Sequence, residues 1–162
     1  MGKILIAYYS RTGNTEAMAG FVAQGAEEEG GAEVAVKRVQ DIKAKELLKY
    51  DGLIFGAPTY YGTMPHEMKR LFDQSVAFHG KLSGKVGGAF ASSANVGGGN
   101  ETTVLDILKA FLIHGMILQG DPSGDHYGPV SIGAPDKRSE GECIRLGLRI
   151  ARLVACLEES EE

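Results

Sequence analysis

Short apolar runs alternate along the chain with longer stretches in which apolar positions recur every three or four residues. The short runs cover 4–8, 34–39, 52–56, 86–91 and 116–119. Several are apolar almost without a break, as strands buried on both faces of a sheet should be. Between them, Met18, Val22 and Ala26 recur at four-residue spacing, and Leu105, Leu108 and Leu112 fall three and seven apart. Both spacings are helical. Pro65 suits the first turn of a short helix carrying Met68, Leu71 and Phe72. A last helix is expected from Ser139, with Glu142 three positions on as a capping box. Its apolar stripe would be Ile144, Leu148, Ala151 and Ala155. Strands alternating with helices give βαβ units, right-handed crossovers and a parallel sheet. Five strands and roughly five helices therefore predict an α/β fold, a doubly wound five-stranded parallel sheet with helices on both faces.

Such sheets bind ligands beyond the carboxyl ends of their strands, where strand order reverses. The loops after the first, third and fourth strands are therefore the places to search. The first is Ser10, Arg11, Thr12, Gly13, Asn14 and Thr15. Three hydroxyls, an amide and a glycine ahead of a helix start make an anion cradle. The alternative is a capped turn with no ligand. The pattern is not a Walker loop, and no Gly-x-Gly-x-x-Gly occurs anywhere. The second loop is Pro58, Thr59, Tyr60, Tyr61 and Gly62. Two aromatics on a strand-end loop suit stacking on a flat ring; the alternative is that they pack the loop. The third loop contains Ser93, Ala94, Asn95, Val96, Gly97 and Gly98. Glycines let a backbone lie flat against a planar ligand, although a bare glycine run also reads as a mobile loop. Taken together, a phosphate cradle, a ring platform and a polar glycine wall describe a mononucleotide with a large flat ring. FMN fits best.

With 162 residues, the chain has the size of one domain, assigned here to 1–157, with an acidic tail at 158–162. Net charge is −4 and Lys and Arg form no dense block, which argues against nucleic acid. No apolar run is long enough for a membrane span. The opening residues carry no leader pattern, so a cytoplasmic location is expected. Cys143 and Cys156 fall on one expected helix, too far apart to bridge. His66 and His79 have no companions at metal-ligand spacing, so no metal is expected.

The segments SRTGNTEAMA, GAPTYYGTMPHEMKRLFDQ, SSANVGGGNETT and HGMI occur in this order. They resemble the WrbA family, the flavodoxin-like NAD(P)H:quinone oxidoreductases, and the resemblance covers most of the chain. It implies a flavodoxin-like fold that holds FMN non-covalently through the three loops and His114 (in HGMI). It also implies hydride uptake from NAD(P)H and two-electron reduction of a quinone-like acceptor, with no protein acid or base strictly required. Phe78 and His79 occupy the region where the family has a substrate-side tryptophan, and so become substrate candidates; the chain has no Trp. A homo-oligomer, dimer or tetramer, is also implied. Two alternatives remain at this stage. One is an electron-carrying flavodoxin that docks to a redox partner protein, although a charge of −4 is low for electrostatic steering. The other is a flavin-free interaction module.

Overall fold

The structure is a computed structural model that describes residues 1–161. Its elements are β1 (Gly2–Tyr8), α1 (Asn14–Glu28), β2 (Ala32–Arg38), β3 (Gly52–Pro58), α2 (His66–Ser75), β4 (Val86–Ser93), α3 (Asn100–Ile113), β5 (Ile117–Leu118), β6 (Val130–Ile132) and α4 (Lys137–Glu161). All strand pairs are parallel, in the order β2-β1-β3-β4-β5. β6 also pairs with β4, further along the edge that β5 uses. The fifth position of the sheet is thus divided between two short strands. The expected strand at 116–119 is cut short because Gly120, Asp121, Pro122, Ser123 and Gly124 turn the chain out of the sheet.

The strands read as continuous apolar runs because both faces are covered. Ile4, Ile6 and Tyr8 of β1 join the cluster under α1 and α4, whereas Leu5 and Ala7 join the cluster on the other face, which holds Phe72 of α2 and Phe111 of α3. There Phe55, Phe72 and Phe111 meet with ring centroids 5.0–5.5 Å apart. Met18, Val22 and Ala26 face the core, as do Met68, Leu71 and Phe72.

Five features depart from the sequence pattern. No α-helix joins β2 to β3; two short 3₁₀ turns, Val39–Asp41 and Ala44–Lys49, take its place. The buried row of α3 is Val104, Ile107 and Phe111, while Leu112 is more than half exposed. In α4 the buried row is Cys143, Leu146, Ile150, Ala151 and Val154. This helix also begins before Ser139. Asp136 accepts from the Ser139 N–H at 2.9 Å, and Ser139 Oγ accepts from the Asp136 N–H at 2.8 Å, so Ser139 closes the capping box instead of opening it. At the far end, residues 158–161 of the expected acidic tail continue α4, and residue 162 lies outside the described residues. Glu158 pairs with the N-terminal amine at 3.4 Å.

α1 and α4 cross in close contact on one face of the sheet. A Cβ on Gly25 would overlap the carbonyl oxygen of Ile144, and one on Gly147 would overlap that of Val22. Two glycines therefore set how deeply this helix pair seats on the sheet.

Candidate functional site

All parallel strands end at the same edge, so the loops after β1, β3 and β4 meet there. β1 runs into the 10–15 loop, where Gly13 adopts φ +99° and provides α1 with no side-chain cap. The first helical bond is from the Ala17 N–H to the Gly13 carbonyl at 3.0 Å. The N–H groups ahead of it point out of the helix start, at its positive end. Ser10 Oγ accepts from the Gly13 N–H at 3.1 Å, and Thr15 Oγ1 lies 2.9 Å from Ser92 Oγ. These two buried hydroxyls brace the loop from below, while Arg11 and Thr12 are exposed on its rim.

Beyond β3, Tyr60 and Thr63 exchange backbone hydrogen bonds of 2.8 and 3.2 Å. Tyr61 (φ +50°) and Gly62 (φ +82°) turn the chain between them. Two positive φ values in a two-residue turn define type I′, which normally selects Asn or Gly at the first position. Here that position is held by a tyrosine whose side chain is fully exposed, at 108%. Tyr60 packs edge-on against Tyr9, with centroids 6.1 Å apart, and its hydroxyl is buried without a partner.

The third loop closes against the second. The Thr59 N–H donates to the Ser92 carbonyl at 2.7 Å, and Thr102 Oγ1 donates to the Gly62 carbonyl at 2.7 Å. A Cβ on Gly99 would sit 2.8 Å from the Gly62 Cα, so Gly99 is required for the two loops to touch. Ala94 to Gly98 are all exposed, Val96 by 85%. Their turn is fixed by a 3.1 Å bond from the Gly98 N–H to the Asn95 carbonyl, and Ser93 Oγ accepts from Asn100 Nδ2 at 3.0 Å. An exposed tyrosine on one loop and an exposed Ala-Asn-Val-Gly-Gly stretch on the next thus border one patch of surface. The uncapped start of α1 lies beside it.

His114 does not join this patch. It caps the C-terminal end of α3, whose N-cap is Gly99. A 14-residue helix is about 21 Å long. Gly115 bonds to Gly84, just before β4 begins, so His114 lies at the opposite edge of the sheet from the loops. Phe78 and His79, which follow α2, lie at that same far end. The His79 and His114 rings are 6.1 Å apart, and both residues line a cavity of about 540 Å³ between α2 and α3. Ser75 Oγ lies 2.7 Å from His114 Nε2 and donates to the Phe72 carbonyl at 2.6 Å. Burial, and then the charge of His79, lower the pKa of His114.

Several neighbours of the loops are not among the expected site residues, although Glu16, Thr102 and Thr103 lie within the SRTGNTEAMA and SSANVGGGNETT segments. Glu16, Arg38, Tyr9, Thr102 and Thr103 all reach the site edge. Outside those segments, Arg38 carries a signal of its own: it ends a strand in a sheet whose strand ends converge. Burial pushes the Cys143 thiol up to about 12, so this cysteine is a packing residue. Among the described residues no His, Cys, Asp and Glu group is placed to hold a metal, and no helix is long and apolar enough to cross a membrane.

A parallel sheet covered by helices on both faces, with three loops gathered at its carboxyl edge, defines a doubly wound α/β protein. Residues 6–103 match the flavodoxin family, and the chain belongs to that family. A flavodoxin of Aquifex aeolicus is 42% identical over 96% of this chain and 88% of its own length. An NAD(P)H dehydrogenase (quinone) of Sinorhizobium fredii is 36% identical over 98% of this chain and its full length. The solved structure of a WrbA-like flavodoxin from Agrobacterium tumefaciens superposes with a TM-score of 0.77 at 27% identity, covering 96% of this chain and 99% of that one.

Proposed function

We propose that the three loops bind FMN and that the chain is an oxidoreductase of the NAD(P)H:quinone type. The observation that carries the flavin assignment is Tyr61: a strained, fully exposed aromatic beside an exposed glycine-rich wall. The surroundings fit the group. The uncapped start of α1 suits the phosphate, at a charge–dipole gain of about 0.3–2 kcal/mol. Tyr61 suits one face of a ring, and the exposed backbone from Ala94 to Gly98 suits its edge. The orphaned hydroxyl of Tyr60, whose ring packs against Tyr9 next to Tyr61, has a hydrogen bond still to make.

When bound, FMN supplies the two-electron chemistry that links a nicotinamide to a quinone. The chain's own part is to bind and orient. Gly13 to Thr15 hold the phosphate end. The Tyr60–Thr63 turn sets the height of the ring, and Gly98 and Gly99 keep side chains off it. With Tyr61 on one face of the ring and the Ala94–Gly98 backbone along its edge, the other face would be left for donor and acceptor in turn. Relatives of full length that carry the name NAD(P)H dehydrogenase (quinone) support the enzymatic reading. From its distant edge, His114, with Phe78 and His79, can reach such a ring only as part of a second copy of the chain. That is how we fit the expected homo-oligomer to this geometry.

A second reading, an electron-carrying flavodoxin with a protein partner, draws support from the same open face at Tyr61 and from the flavodoxin relative. Anaerobic stopped-flow mixing of the FMN-loaded chain with NADH and then NADPH separates the two. Rapid bleaching of the flavin's visible absorbance, reversed by benzoquinone, is the expected result. No bleaching with either nucleotide would leave the carrier.

A further inference from the structure

Tyr8, Glu16 and Arg38 form a connected group at the phosphate end of the loops. Register places Arg38, the last residue of β2, beside Tyr8, the end residue of β1. Its guanidinium lies over the Tyr8 ring, 5.5 Å from the centroid. One guanidinium nitrogen donates to Glu16 Oε2 at 3.0 Å, and another to the Ser10 carbonyl at 3.4 Å. Tyr8 donates its hydroxyl proton to Glu16 Oε1 at 2.6 Å. One residue of a neighbouring strand therefore ties together the strand, the loop and the first turn of α1, which are the three parts that frame the anion cradle.

Glu16 suits the helix dipole but not an anion bound at the same helix start. It puts a carboxylate in the first turn of α1, close to where the flavin reading seats a dianionic phosphate. Like charges at that separation oppose binding. Both Glu16 and Arg38 are half-exposed, so the pair contributes little to stability. What the arrangement does achieve is local neutrality.

We infer that Arg38 is a positioning residue that gives the 10–15 loop its preference for a phosphorylated flavin, by cancelling the charge of Glu16 and fixing the Ser10 carbonyl. This rests on the flavin reading given above. A residue that only braced the fold would affect FMN and riboflavin alike, because both carry the same ring. A residue that manages charge beside the phosphate affects FMN alone.

The test is titration of the flavin-stripped chain with FMN and with riboflavin at low salt, followed by flavin fluorescence. Arg38→Gln should loosen FMN about tenfold and leave riboflavin within about twofold, because only FMN then meets an uncancelled carboxylate. Glu16→Gln should tighten FMN about threefold, and the double variant should return to within about threefold of the wild type. Equal loss of both flavins in Arg38→Gln, or no loss of either, overturns the inference while the flavin reading stands. Should Arg38→Gln fail to fold, Glu16→Gln decides alone: unchanged or weaker FMN binding overturns it. A wild-type chain that binds neither flavin overturns the flavin reading and this inference with it.

Discussion

Tyr61 holds φ +50°, a conformation that costs a residue other than glycine on the order of 1 kcal/mol. Its side chain is fully exposed, so nothing within the fold repays that cost. Tyr61→Gly should therefore stabilise the flavin-free protein by about 1 kcal/mol, raising the melting temperature about 2–4 °C in calorimetry. The same change should weaken FMN about tenfold in a fluorescence titration through lost stacking. A stability gain with no loss of affinity would remove Tyr61 from the ring platform. His114 gives a second prediction at this scale. Ser75 donates to a carbonyl, so it must accept the proton from His114 Nε2, which leaves the buried Nδ1 bare and without a partner. The folded pKa lies below the ordinary 6.5. As pH falls through 6.5 the unfolded chain takes up a proton that the folded chain refuses, so stability falls on acidification. That part of the stability is fully present above 6.5 and is lost progressively until the pH reaches the lowered folded pKa. Urea midpoints at neutral and mildly acidic pH should show a smaller drop in His114→Gln than in the wild type.

At the scale of elements, the α1–α4 contact is the most sensitive point. A methyl group on Gly147 would overlap the Val22 carbonyl, and backbone cannot swing aside as a flexible side chain would. Gly147→Ala should cost about 3 kcal/mol in urea denaturation even though alanine is the better helix former, because overpacking outweighs propensity. This contact also explains what could and could not be read from the chain. β1, β3 and β4 were legible because strands buried on both faces leave long apolar runs. The sequence pattern of α1 and α2 likewise gave the correct core face. In α3 it points to Leu105, Leu108 and Leu112, and in α4 to Ile144, Leu148, Ala151 and Ala155, because large aliphatics weigh most in a periodicity count. The buried row of α3 sits one position away, at Val104, Ile107 and Phe111; in α4 the expected Ala151 is buried, but the rest of the row is Cys143, Leu146, Ile150 and Val154. In α4 that row is selected by Gly147, whose lack of a side chain leaves no hydrophobic signal. β6 was illegible because three residues are too few to show alternation. The three loops were legible from residue type together with the strand-end rule. The place of His114 was not, because a motif says nothing about which end of a helix it occupies.

For the whole molecule, what matters is that the fold keeps two edges apart. The carboxyl edge of the sheet carries the three loops. The amino edge carries His79 and His114, about 21 Å away along α3, at the far end of an α2–α3 cavity whose near end is lined by Thr63 and Met64. A ligand that binds only the folded chain stabilises it by about 2.7 kcal/mol at a hundredfold excess over its dissociation constant. That energy appears first in the segments the ligand touches, since local opening is governed by local contacts. Hydrogen exchange with and without FMN should therefore slow at 10–15, 58–62 and 93–98 at every protein concentration. Exchange at 76–79 and 112–114 should stay unchanged in dilute solution. It should slow only at concentrations where sedimentation detects association, since only a second copy can bring those residues to the ring. Protection of the far edge in a demonstrably monomeric chain would contradict the separation of the two edges. Protection that misses the three loops would remove the flavin from them altogether.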